Sequence, residues 1–355
     1  MNFFYIIIIF MILDLSTNNT KIKKRLSIVL MIILTLLAML RNKSVGTDTE
    51  IFCSTFLTVN ELTIKECLNS RFEVFNILLF KLIGIISKEP QILIIMSSII
   101  INIGVYIFII KNSKNPLTTT ILYFTLNYYF IFMCLMRQAF ALVMILIGYE
   151  MLKNNRNILF CVCVLLASLF HTSAIIFLIL LPLKKINKKV NVVFIVILCS
   201  IIGFLIGTNL LKISVHILSD YAKYLDSSYI GSSYVTAGLY SLTSFCFLIF
   251  GLKVPSSKMM DRESKLDNNY ELLKWIIAVG TIISSISIKV ALFSRIYIYF
   301  GFFSILWLSN SIHLLTKKSN MLMWKMIIYV FTMFYVIIIS KYDWYGIFPY
   351  SFFWN

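Results

Sequence analysis

The residues with chemistry to offer in this chain are few, and most stand in apolar company. Arg137 lies within FIFMCLMRQAFALVMILIGYE, with hardly another charge for a membrane's width on either side. A guanidinium cannot shed its proton to escape such a setting, and charge at membrane depth costs roughly 2.5 kcal/mol or more. Such an Arg persists where it faces a wet cavity or an anion, or, as the blander alternative, where it snorkels from a helix end to a headgroup. Arg295, in IKVALFSRIYIYFGFF with Tyr297 and Tyr299 close by, poses the same choice. Guanidiniums gathered at one membrane face would clamp phosphate oxygens in a bidentate way that Lys cannot match.

A second group could move protons. RNKSVGTDTE (41–50) places Arg41, Gly46, Asp48 and Glu50 directly after an apolar run. Gly46 permits a tight turn presenting Asp48, which could act as general base toward a hydroxyl, bind a cation with Glu50, or simply pair with Arg41. His171, in LLASLFHTSAIIFLILLPL, is the one His inside an apolar stretch, at a helix break. Imidazole suits proton transfer near neutrality, and would equally suit a bond to a carbonyl freed by the break. Three dispersed His without Cys or carboxylates at ligand spacing give no zinc signature. Cys53 and Cys67 lie in the polar stretch 41–73 and could close it as a disulfide in an oxidising compartment; the other five Cys sit in apolar segments as small hydrophobes.

The elements that must position these residues are membrane helices. The chain has 355 residues, 60% hydrophobic and 13% charged, with a mean hydropathy of +0.90, against about 25% charged residues in soluble domains. Apolar stretches lie at 26–40, 91–110, 118–135, 190–211, 236–252, 272–288, 292–310 and 321–340, and 190–211 and 321–340 are apolar nearly all round rather than alternating, which fits helices rather than a barrel. The expected fold is all-α, a single polytopic membrane domain over 1–355 with roughly 10 to 14 transmembrane or re-entrant helices. MNFFYIIIIFMILDL has no basic leader and no cleavage site, and reads as a first span.

The formal net charge of +17 comes from short basic clusters between spans: KIKKR (21–25), KNSK (111–114), KNNR (153–156), KKINKK (184–189) and KK (317–318). They mark cytoplasmic loops rather than a nucleic-acid surface. With KIKKR inside, 41–73 and 212–235 are extracytoplasmic and 253–268 is cytoplasmic. Full crossing by every stretch would put KNSK and KNNR outside, so two weak segments are expected to depart from it. Segment 74–86 re-enters from the outer face, and 158–183, broken near Phe170–Ser173, forms a hairpin. Arg137, His171 and Arg295 then share the outer face.

The order of these motifs resembles a family. A GTD motif in the first outer loop (Val45 to Asp48, preceded by Arg41) is followed by an RQ with small and apolar residues (Arg137, Gln138, Ala139, Ala141), then FH with Ser (Phe170, His171, Ser173), then Arg with Tyr (Arg295, Tyr297, Tyr299). This is similar to the EpsG-like branch of the Wzy-type bacterial polysaccharide polymerases, across about 1–310.

The resemblance implies a Wzy/GT-C-like bundle in the bacterial inner membrane that polymerises oligosaccharide repeat units carried on undecaprenyl diphosphate, for O-antigen, capsule or exopolysaccharide. It implies a metal-independent glycosyltransferase without cofactor, working in the bilayer with a flippase and a chain-length regulator and without nucleic acid. Arg137 and Arg295 would hold the diphosphate with Arg41 in support, Asp48 or His171 would take the proton, and Gln138, Tyr297 and Tyr299 would assist. Three other classes stay open: a metal-dependent GT-C glycosyltransferase reading Asp48 and Glu50 as metal ligands, a lipid-linked oligosaccharide flippase, and an O-antigen ligase.

Overall fold

The computed structural model describes residues 2–68, 73–186, 190–217, 234–253, 264–315, 318–343 and 345–354. Among them are seventeen α-helices, one 3-10 helix and no strand. The helices are α1 (Asn2–Ser16), α2 (Thr20–Met39), α3 (Thr49–Glu61), α4 (Ile64–Leu68), α5 (Val74–Ile86), α6 (Pro90–Asn112), α7 (Pro116–Thr125), α8 (Tyr128–Cys134), α9 (Met136–Lys153) and α10 (Asn157–Ser168). After the 3-10 helix Thr172–Ile179 come α11 (Leu180–Leu183), α12 (Val192–Ile217), α13 (Tyr234–Lys253), α14 (Ser264–Ser287), α15 (Phe293–Gly301), α16 (Ser304–Leu314) and α17 (Lys318–Tyr342). Four of these, α6, α12, α14 and α17, are long and apolar enough to cross a bilayer, and the bent pair α7–α8 makes up to five. The chain is an all-α polytopic membrane protein.

Where the sequence reads as one membrane domain, the fold divides into two compact units, 1–175 with 316–355, and 176–315. In unit one the inner element is α7–α8, whose residues from Leu117 to Thr125 and Tyr128 to Cys134 are all buried. The stretch 118–135 is not one straight span. It bends by 57° at Asn127, which adopts φ 71°, a left-handed conformation that Asn tolerates better than most residues. Broken backbone at membrane depth needs protein around it, and α1, α2, α6 and α17 pack against α7. Outward faces of α17 (Val330, Phe334) and α1 (Ile9, Ile12) are apolar and exposed, as lipid requires.

Unit one has two chemically distinct ends. At one, Asn112 donates to Glu150 and accepts from Lys153 Nζ at 2.7 Å, which brings KNSK and KNNR together. There too, Asp14 meets Lys23 at 2.9 Å and Lys325 at 2.7 Å, and accepts from Thr118 at 2.8 Å and from Tyr329. At the other end, Gln91 at the start of α6 donates to Met39 O at 2.9 Å and Arg41 O at 3.2 Å. The preceding α5 therefore leaves and returns at one end: it starts at Glu73, beside Arg137, and its exit leads into Gln91. At 13 residues α5 is short for a span, and α3 lies along it, with Asn60 against Phe80 O and Gly84. The break in 158–183 falls at Leu169–His171, as expected.

In unit two, α14 runs against α11, α12, α13, α15 and α16. Hydroxyl pairs fasten it to α13, Ser244 with Thr281 at 2.8 Å and Ser241 with Ser285 at 2.9 Å, because apolar faces alone drive no association in lipid. The stretch 292–310 is broken at Phe302–Phe303 between α15 and α16. Most of the expected loop 212–235 (218–233) and of 253–268 (254–263) lies outside the described residues.

Candidate functional site

The site begins with a carboxylate that sequence reasoning passed over. Glu73 closes the polar stretch 41–73 and is not among the candidate residues named from the sequence. It stands at the head of α5, and Arg137 Nη1 donates to its Oε2 at 2.7 Å. His171 Nδ1 lies 3.5 Å from its Oε1. Three elements meet here: α5, the start of α9, and the break after α10. The signal in the sequence was an acidic residue directly ahead of an apolar run, on the face where Arg and His already converged.

Backbone groups explain why the break holds. Where α10 stops, Leu169 O accepts from Phe75 N at 3.3 Å and Phe170 O from Asn76 Nδ2 at 2.8 Å. Phe170 packs edge-on against Phe75 at 5.2 Å. The freed carbonyls are thus taken by α5, which removes the structural role first open to His171. Its Nδ1 is buried, makes no hydrogen bond and faces the Glu73 carboxylate at 3.5 Å, so the ring's remaining 15% exposure lies away from that nitrogen. Burial works against ionisation of Glu73, yet His171 and the charge of Arg137 outweigh it and hold the carboxyl at about 2.

Arg137 is anchored but not consumed. Its guanidinium lies 5.6 Å over the Phe52 ring of α3, its side chain is 32% exposed, and its donors other than Nη1 make no hydrogen bond among the described residues. Those donors can take an anion. Gln138, next along α9, is buried.

Asp48 sits one turn before Phe52, at the head of α3. Gly46 adopts φ +102°, the turn expected of it, and the C-terminal tail pins that turn. Gly46 N donates to Gly346 O at 2.7 Å, Thr47 N to Tyr345 O at 2.9 Å and Asn42 N to Ser351 O at 2.9 Å. Thr47 then donates to Asp48 at 3.3 Å.

Arg41 departs from expectation. It is 1% exposed and spends its donors on Ala38 O at 2.6 Å, Ser98 Oγ at 3.1 Å and Met133 O at 2.9 Å, not on Asp48 or an exposed surface. It ties α2 and α6 to the end of α8, four residues before Arg137. The expected Cys53–Cys67 disulfide is corrected: both are free and buried. Cys67 Sγ donates to Val59 O at 3.6 Å, six residues along α3 from Cys53, about 9 Å of helix and beyond a disulfide's reach.

Arg295 belongs to unit two, half-buried at the start of α15. Tyr299 is fully buried and Tyr297 packs on Tyr240 at 5.3 Å. Asp48, Glu73, Arg137 and His171 thus share one end of unit one. No curated protein and no solved structure matches the chain. The model of the EpsG family matches residues 24–352, nearly the whole sequence, and so the chain belongs to the EpsG family and is a membrane protein of polysaccharide biosynthesis.

Proposed function

We propose that the protein polymerises oligosaccharide repeat units carried on undecaprenyl diphosphate, by glycosyl transfer at the outer face of the bacterial inner membrane. The observation that carries this reading is Arg137: a guanidinium anchored through one nitrogen by Glu73, with its other donors open, beside a half-buried His. It lies at the end of unit one opposite the clustered Lys and Arg, which the positive-inside rule assigns to the cytoplasm.

The diphosphate is an activated leaving group, so catalysis needs a fixed cation for the departing charge and a base for the acceptor hydroxyl. Arg137 supplies the first, preorganised by Glu73 and Phe52. Arg41, buried behind it, holds the α8–α9 junction in place. In this reading the bilayer delivers both lipid-linked substrates, a flippase and a chain-length regulator are the working partners, and no metal takes part. Deleting the gene should leave surface glycan with single repeat units in place of long chains. Complete absence of units would favour a flippase or ligase, and lipid-linked units lacking a sugar would favour a GT-C enzyme. Purified protein should elongate lipid-linked repeat units in the presence of a chelator; loss of activity there would overturn the metal-independent reading.

A further inference from the structure

We propose that Glu73 is the positioning residue of a carboxylate–imidazole pair in which His171, and not Asp48, takes the proton of the acceptor hydroxyl. The proposal rests on the polymerase reading and assigns its base. A carboxylate facing one ring nitrogen fixes the proton there, leaves the lone pair on the other, and stabilises the imidazolium that forms during reaction.

Each requirement has its residue. Glu73 is held from two sides, by Arg137 at 2.7 Å and Asn76 at 3.4 Å on Oε2, which leaves Oε1 to His171 Nδ1. Nδ1 has no competing partner, because Phe75 and Asn76 occupy the carbonyls of the break. The charged groups at the ring are Glu73 from α5 and, through it, Arg137 from α9. Asp48 lacks such an arrangement; its described partner is the Thr47 hydroxyl. In the reaction, the acceptor oxygen bonds to the anomeric carbon as that carbon's bond to the diphosphate oxygen breaks. The electron pair leaves on the diphosphate beside Arg137. The hydroxyl proton passes to His171 Nε2, and the imidazolium then releases it to water.

The test compares Glu73→Gln, Glu73→Asp, His171→Ala and Asp48→Asn in purified protein extending lipid-linked repeat units, with membrane level and thermal unfolding followed in parallel. Glu73→Gln and His171→Ala should each lose about 100-fold or more of the rate. Glu73→Asp should recover part of it, and the acidic limb of the pH–rate profile should move to lower pH in Glu73→Gln. Exogenous imidazole should partly restore His171→Ala, and Asp48→Asn should lose less than either. A Glu73→Gln protein with near-normal rate, or one whose loss comes with an unmoved pH profile, overturns the positioning role. A collapse confined to Asp48→Asn overturns the choice of base. If the wild-type protein forms no polymer from the same substrate, the polymerase reading fails first, and that result is distinct from either.

Discussion

Unit one contains two clusters built on the same plan, a carboxylate between two basic side chains, and they end in opposite conditions. Asp14 is fully enclosed, and Lys23 and Lys325 beside it keep only 10% and 5% of their side-chain surface. Thr118 and Tyr329 both donate to its Oδ2, and its Oδ1 faces Lys23. Glu73 keeps 17% exposure and Arg137 32%, and the guanidinium still has donors to give. The closed cluster joins α1, α2, α7 and α17 and has nothing left for a ligand. The open one joins α5, α9 and the break after α10, and stops short of saturation. Charge alone does not mark a site in a membrane protein; unspent hydrogen-bonding capacity on an anchored charge does.

Removing Asp14 should produce the largest effect and confirm that the closed cluster is structural. Asp14→Ala leaves two lysines facing each other without their counter-ion, and breaking a buried pair in this way costs about 3 to 5 kcal/mol. Membrane level and unfolding temperature in detergent should fall sharply, while the rate per folded molecule stays close to normal. A variant of normal stability that lost activity would reverse the comparison. Arg137→Lys should do the opposite. A point charge can keep the pair with Glu73 but cannot reproduce the planar fork, so polymer should fall by about 100- to 1,000-fold with membrane level unchanged. Near-normal chain length in that variant would remove Arg137 from the chemistry.

The pH dependence of stability sharpens the same contrast on a smaller scale. The Glu73 carboxyl is held at about 2 in the fold against an ordinary 4.5. A depressed carboxylate stabilises the fold above its unfolded value, and this contribution is lost as pH falls through the folded one. It amounts to about 3 kcal/mol at most. Wild type should therefore unfold at higher temperature than Glu73→Gln near neutrality, and the gap should narrow below about pH 4.5 and close towards the value of about 2. A gap independent of pH would mean that Gln disturbs packing rather than charge.

How much of this was legible beforehand depended on whether the signal was local. Placing KNSK and KNNR on the side of KIKKR followed from their charge and required 74–86 not to cross; in the fold Asn112 and Lys153 join the two clusters, and Gln91 brings the start of α6 to the end of α2. Arg137 and His171 stood out because nothing near them in sequence explained them. Glu73 did not, because a carboxylate in a mixed-charge loop looks solvated until the fold brings α9 and the α10 break to it. Arg41 misled for the reverse reason. Beside Asp48 in sequence it looked exposed, whereas its partners Ser98 and Met133 are far along the chain. The bend at Asn127 left no trace, since 118–135 contains neither Gly nor Pro.

The smallest expected effect concerns what holds the open end together. A bridge between Cys53 and Cys67 would have fixed α4 to α3 covalently. With Cys67 at Val59, about 9 Å along α3 from Cys53, the thiols stay apart, and among the described residues Glu73 is positioned by Arg137, Asn76, His171 and the packing of α3 on α5. Reductant should then leave both the unfolding temperature and the polymerisation rate unchanged. Both buried thiols should resist alkylation in the folded protein and react fully once it is denatured without reductant. Thiols that become reactive only after reduction would establish the bridge, and the open end would then owe its geometry to a covalent lock that the closed end does without.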